Sequence, residues 1–288
     1  MCTLKLLTHQ TIMNGIRYYP IAGLAFLVLW KAGAPYFQRF RIQLRPLKNE
    51  RVWYEIRYSF VTLLVFVAIG TYSITMGMRG ETALYLDIFK HGPAYLIFSF
   101  LLLIIWHETW FYWMHRMVHF PRLFRLIHLV HHKSTHPTPF AAYSFHPYEA
   151  VLEAGYLFLF VQFVPVHPIV VLTQAFYAML MNIYFHSGHE FAPSGWTRGR
   201  LSRWFNTSTH HNMHHSHVNC NYSLYFNFWD RVCGTNHPDY EQYFESIKAR
   251  SRPTAPGVNP AVRTFATINT IETSNAKVNL SPERETAG

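Results

Sequence analysis

The chain has 288 residues, of which half are hydrophobic, 17% aromatic and only 14% charged, with a formal net charge of +10. Soluble domains carry about a quarter charged residues, so this composition excludes an ordinary soluble globular protein and points to the bilayer. The positive excess lies beside apolar runs, which assigns it to anionic lipid rather than to nucleic acid.

From the N-terminus, Tyr18 to Trp30 is the first run nearly free of charge. It lacks a small-residue cleavage site and runs into WKAGAPY, so it is expected to be a retained membrane helix and not a signal peptide. A basic segment follows, with Lys31, Arg39, Arg41, Arg45, Lys48, Arg51 and Arg57. Tyr58 to Met78 then has the length of a span, about 20 residues, and Pro93 to Trp106 reaches it by extending into aromatic flanks. Between these two, Arg79 and Lys90 are balanced by Glu81 and Asp87, so the asymmetry of basic residues places the first loop in the cytoplasm.

Val151 to Phe185 is a longer apolar run, broken by Pro165 and Pro168 and carrying Glu153 near its start. It is expected to form two helices, a hairpin that dips into or crosses the bilayer and returns. From about Arg250 the chain is polar, rich in Thr, Asn and Pro and without helical period, as expected of a disordered tail. Cys2, Cys220 and Cys233 form no CxxC pair and suggest no disulfide framework. The expected fold is all-α, about four or five membrane helices with a cytosolic helical cap. Its segments are 1–106 for membrane helices and the basic loop, 107–248 for a histidine-bearing domain with its hairpin near 151–185, and 249–288 for the tail.

The histidines carry the chemistry. HLVHH ends at His132 and HNMHH at His215, each setting three imidazoles at i, i+3 and i+4, on one side of a helix. His115 and His119 are i and i+4, and His186 and His189 are i and i+3. Imidazole suits iron, copper, nickel and zinc better than magnesium or calcium. Ten such residues exceed the needs of one four-coordinate ion and suit a two-metal site. The bland alternative, a histidine-rich tract, would be compact and degenerate, whereas long apolar segments separate these clusters. Topology brings all four to one membrane face.

The runs ETWFYWMHRMVH, IHLVHHKSTHPTPFAAYSFHPYEA, FHSGHE and THHNMHHSHVNCNYSLYFNFWDRVCGT resemble the fatty acid hydroxylase and sterol desaturase superfamily of membrane di-iron oxygenases, over roughly Glu108 to Thr235. The resemblance implies two irons on the cytosolic face, held by His115, His119, His128, His131, His132, His186, His189, His211, His214 and His215. Zinc is a substitute to expect in purified samples, and His186 and His189 are the variable pair. No catalytic residue is implied beyond the ligands. Glu108, His136, His146, His210, His217, Asn221 and Asp230 are candidates for bracing them, with Tyr222, Trp229 and Arg231 beside the last cluster. His107 reads as a polar group at the membrane boundary, and His9, His91, His167 and His237 as surface or interface histidines.

Such a site uses O2 and two electrons to desaturate or hydroxylate an unactivated C–H bond, and the HHKSTHPTPFAAYSFHPYEA stretch is most similar to the sterol desaturase branch. A sterol-like membrane lipid is therefore the expected substrate, with a fatty acyl or sphingolipid chain as the alternative. No flavin, haem or nicotinamide motif is visible, so electrons are expected from a b-type cytochrome or a ferredoxin and its reductase. A membrane metal transporter would also concentrate histidines, but it would place them within spans near the midplane. A lipid-binding relative without activity is the third reading, and the intact clusters argue against it.

Overall fold

Five long apolar helices set the frame. In the computed structural model, which describes residues 3–251, these are α1 (Thr3–Phe26, continued by a π-helical stretch Leu27–Ala32), α2 (Asn49–Met78), α3 (Gly92–Val118), α4 (Pro147–Phe163) and α5 (Pro168–Phe185). Four of them, Leu4–Ala32, α2, α3 and α5, are long and apolar enough to cross a membrane, and the chain is an integral membrane protein. The first helix begins well before Tyr18, because a charge-free window finds only its most apolar part. Cys2 and the polar stretch after Ser251 lie outside the described residues.

Proline starts these helices where its missing N–H does no harm: Pro93, Pro147 and Pro168 all sit in first turns. His146 and His167 precede the last two, and each caps its helix by accepting a hydrogen bond at Nδ1, from the N–H of Tyr148 and of Ile169. His146, one of the bracing candidates, is found in this capping role.

The hairpin of α4 and α5 runs the length of the bundle. At its tip Ala83 N–H donates to the Val161 carbonyl at 2.9 Å, and the Tyr95 hydroxyl donates to the Pro165 carbonyl at 2.8 Å, so the tip meets the α2–α3 connection. Lipid supplies no hydrophobic drive between helices, so packing and directed hydrogen bonds must hold them. The indoles of Trp106 and Trp110 on α3 donate across to the Tyr156 and Leu152 carbonyls of α4 at 2.8 and 2.9 Å. His107 lies inside this bundle rather than at its boundary, because α3 continues unbroken to Val118. Its Nδ1 lies 2.9 Å from both Gln174 Nε2 and the Tyr225 hydroxyl, and its ring stacks on Tyr156. The expected division at 106/107 thus falls inside one helix.

At the other end sits a cap that includes α6 (Ser208–His217), α7 (Phe228–Cys233) and α8 (Tyr240–Ser251). Met213 of α6 packs on Tyr240 and Phe244 of α8. The basic loop between α1 and α2 closes on the same end: Ile42 N–H donates to the Gly188 carbonyl, and Glu190 N–H to that of Phe40. Among the described residues, β structure is limited to isolated bridges.

Candidate metal centre

The helices bring their histidines to one place at the capped end of the bundle. His115 and His119 end α3, His128 to His132 sit on the following turn of helix, His186 terminates α5, and His211, His214 and His215 lie on α6. Among the described residues, nine of these imidazoles form two groups. His115, His119, His128, His132 and His214 are one; His131, His186, His211 and His215 are the other; within each, one nitrogen per ring lies within 4.8 Å of the rest. All nine are buried.

The triplets divide between the groups by a simple rule. On a helix, residue i+4 lies about 40° from residue i, and residue i+3 about 60° to the other side. His128 and His132 accordingly share one group while His131 belongs to the other; His211 and His215 share the second while His214 crosses to the first. Each HxxHH therefore straddles both groups.

Geometry within the groups fits a metal. Ring nitrogens approach at 3.2 Å for His115–His128, 3.0 Å for His132–His214, and 2.9, 3.1 and 3.4 Å from His186 to His211, His215 and His131. These Nε2 pairs all fall inside a group. Two nitrogens each about 2.0–2.1 Å from a shared ion at 90–109° stand roughly 2.9–3.4 Å apart. Several rings donate Nδ1–H outward: His115 to the Tyr222 carbonyl (2.8 Å), His214 to Cys220 (2.7 Å), His186 to Asn182 (2.8 Å), and His128 to the Glu149 carboxylate (2.6 Å). That fixes the tautomer and leaves Nε2 lone pairs converging, which repel unless a cation lies between them.

Burial holds these imidazoles neutral, with neighbouring rings adding to the effect. His119 is lowered to about 2 and His186 to about 4, while His128, His131, His132, His211, His214 and His215 all fall well below the usual range. The unfolded chain takes up protons at these rings below about 6.5 and the folded chain does not, so their own contribution to stability rises with pH between about 4 and 6.5. Thermal unfolding of the detergent-solubilised protein from pH 7 to pH 5 is therefore expected to fall more steeply in the wild type than in a variant that lacks one of these rings, such as His131→Phe. The same pH slope in both proteins would contradict the neutral, buried cluster.

His189 stands outside both groups. α5 ends at Phe185 and Gly188 takes φ +72°, a left-handed turn in which a Cβ would meet Trp30 at 2.6 Å. The chain reverses there, so helical spacing no longer applies, and His189 packs edge-on against Trp30 with its Nδ1 on the Ser187 carbonyl. His136 flanks the same indole.

The loop after α6 explains the NYSLYF and WDR motifs. Two buried carboxylates take five consecutive backbone N–H groups: Asp230 accepts from Tyr222 (2.9 Å) and Ser223 (2.8 Å), and Glu108 from Leu224 (3.2 Å), Tyr225 (2.6 Å) and Phe226 (3.3 Å). Glu108 thus ties cap to span and does not touch an imidazole of the groups by any hydrogen bond found among the described residues. Asp230 also pairs with His210 at 3.4 Å. Burial pushes this carboxyl up, but hydrogen bonds from His210, Thr235 and Ser223 outweigh that and hold it well below the usual range. Asn221, at φ +58°, bonds the His210 carbonyl and accepts from His237 N–H. His217 packs on His237 at the outer end of α6.

Glu149 is the residue that spacing does not reveal. It lies in HPYEA at the start of α4, 21 residues from His128 in the chain, and is a carboxylate in hydrogen-bond contact with one of the nine rings. The signal is a buried acid in the first turn of an apolar helix. Glu149→Ala is expected to weaken metal retention about 10–100-fold, with Glu149→Gln milder because it keeps an acceptor. Metal content after graded chelator challenge checks this; equal retention in both variants and wild type would deny the contact a role.

Fold and site together define an integral membrane protein with a buried, two-part imidazole cluster at one end of its spans. The fatty acid hydroxylase family model matches residues 100–235. The chain is similar to lathosterol oxidase of Rattus norvegicus, 31% identical over 82% of this chain and 76% of the relative, and to lathosterol oxidase of Mus musculus, 30% identical over the same shares. It is also similar to Delta(7)-sterol 5(6)-desaturase ERG3B of Gibberella zeae, 29% identical over 78% of this chain and 70% of the relative. No solved structure matches. The chain belongs to the fatty acid hydroxylase family, on its sterol desaturase branch, and is an oxidoreductase.

Proposed function

We propose that this protein is an O2-dependent di-iron enzyme that desaturates or hydroxylates an unactivated C–H bond of a sterol-like membrane lipid. The observation that carries the reading is the division of nine buried imidazoles into groups of five and four, with nitrogens spaced for shared ions. One iron would be held by His115, His119, His128, His132 and His214, the other by His131, His186, His211 and His215. When bound, the irons supply O2 activation and accept the reducing electrons. The chain's residues do the rest: backbone carbonyls and Glu149 orient the rings, and burial excludes water that would compete with an apolar substrate. His189 has no place in this assignment.

The basic loop and the cap share one end of the bundle, which supports a cytoplasmic active site by the charge rule. Exposed Lys48, just before α2, and Arg122, Arg125 and Lys133, on and just after the short helical segment that carries His128 to His132, lie there, suited to an acidic electron carrier such as a b-type cytochrome or ferredoxin. Sterols are favoured because the relatives named above are sterol desaturases and lathosterol oxidases. The test is purification from iron-replete cells, metal analysis, then incubation with a Δ7-sterol, O2 and a reducing system. About two irons per chain and an O2-dependent product would support the proposal. A hydroxylated fatty acyl or sphingolipid product would shift the substrate class, and a metal-free protein that oxidises no lipid would defeat it.

A further inference from the structure

The cap does not stand clear of the spans. Counted from Gly92, a hydrocarbon core of about 30 Å takes roughly 20 residues of helix and ends near Tyr112. Ile105 and Thr109 lie within that depth, and Ile105 is exposed on the lipid-facing side of α3. Yet these residues and Glu108 line a groove of about 310 Å3 whose opposite wall is Trp204, Phe228 and Trp229 of the cap. A second groove, about 320 Å3, repeats the arrangement on another spanning helix, with Tyr177 and Met181 of α5 facing Phe191, Trp196 and Phe205. The cap segment between the grooves is joined by the Phe205–Phe226 bridge.

The rim of this segment is apolar and exposed. Leu201 is 77% exposed, Val232 62% and Phe228 47%. Beside them Arg203 and Arg231 both place their guanidinium groups over the Trp204 ring, at 5.2 and 5.8 Å. Apolar side chains at bilayer depth, with an indole and two arginines beside them, form the pattern of an interfacial anchor: stems and rings take the acyl side while charged heads reach phosphate.

We propose that this edge of the cap, residues 201–205 and 226–232, is embedded in the bilayer leaflet on the cluster's side, with Leu201, Phe228 and Val232 among the upper acyl chains and Arg203 at the lipid phosphates. Its surface continues the lipid-facing surface of α3 and α5, and that continuity selects lipid over a second copy of the chain. The placement rests on the membrane fold and not on the chemistry proposed above, so it stands or falls without reference to activity.

Spin labels test it in the full chain reconstituted into nanodiscs that contain anionic lipid. Cysteine replaces Leu201, Phe228, Val232 and, as an aqueous control, exposed Lys133, one at a time, with Cys2 and Cys233 changed to serine and the buried Cys220 kept. All four positions are at the surface, and each labelled protein must keep the wild-type melting profile. Labels at 201, 228 and 232 are expected to relax faster with dissolved oxygen than with a water-soluble nickel chelate, and the label at 133 the reverse. Nickel-dominated relaxation at 201, 228 and 232 would overturn the proposal. So would protection from both reagents with dipolar broadening between chains, which would make the edge a contact between copies.

Discussion

Replacing His186 with alanine is expected to strip metal from the purified protein and lower lipid oxidation by more than about a hundredfold, beyond what loss of a supporting contact costs. The Nε2 of His186 meets those of His131, His211 and His215, so it is the hub of its group. The same substitution at His189 provides the contrast. That ring packs on Trp30 outside both groups, so His189→Ala is expected to cost stability, about 1–3 kcal/mol for a truncated buried side chain, while metal content stays at the wild-type value. Metal analysis of the two variants purified side by side reads the outcome. If His189→Ala loses metal and His186→Ala keeps it, the grouping is wrong.

Glu108→Leu is expected to cause the largest loss of stability of any single change considered. The carboxylate serves three backbone N–H groups from Leu224 to Phe226. Leucine would leave them unpaired in a buried site, at about 1–3 kcal/mol each, for a total on the order of 4 kcal/mol or more. Such a loss is comparable to much of the stability of a typical domain. Glu108→Gln retains an acceptor and should fall between. Thermal unfolding followed in detergent, with size-exclusion recovery after expression, checks the order wild type, Gln, Leu. Equal melting of all three would mean that the loop holds its shape without the carboxylate.

Much of this architecture is legible in the sequence, for reasons particular residues make plain. The apolar runs before Met78 and before Trp106 announce spans because lipid tolerates almost no charge, and Pro165 and Pro168 announce the hairpin because proline cannot continue a helix. Nine histidines are recoverable because helical spacing converts directly into shared direction. His189 shows where that inference stops: spacing assumes a continuing helix, and Ser187–Gly188 ends it. Glu149 is not legible because its partner lies on another element, and pairing across elements leaves no period in the chain. Glu108 and Asp230 are legible as bracing candidates, but their partners are hidden for a related reason, since both act on backbone N–H groups, which every residue carries.

One peptide group gives the site a property that no ligand list contains. The unit between Tyr222 and Ser223 accepts the His115 Nδ1–H at its carbonyl and donates its N–H to Asp230. It is polarised from both sides, so the carboxylate's charge reaches the imidazole as an aligned dipole rather than as an anion. Two divalent ions among neutral rings would leave a large net charge in a low-dielectric interior, where uncompensated charge is costly. With Glu149 the carboxylate found touching those rings, the balance comes through amide planes. Ions bound there would gain electron density while negative oxygen atoms stay away from them.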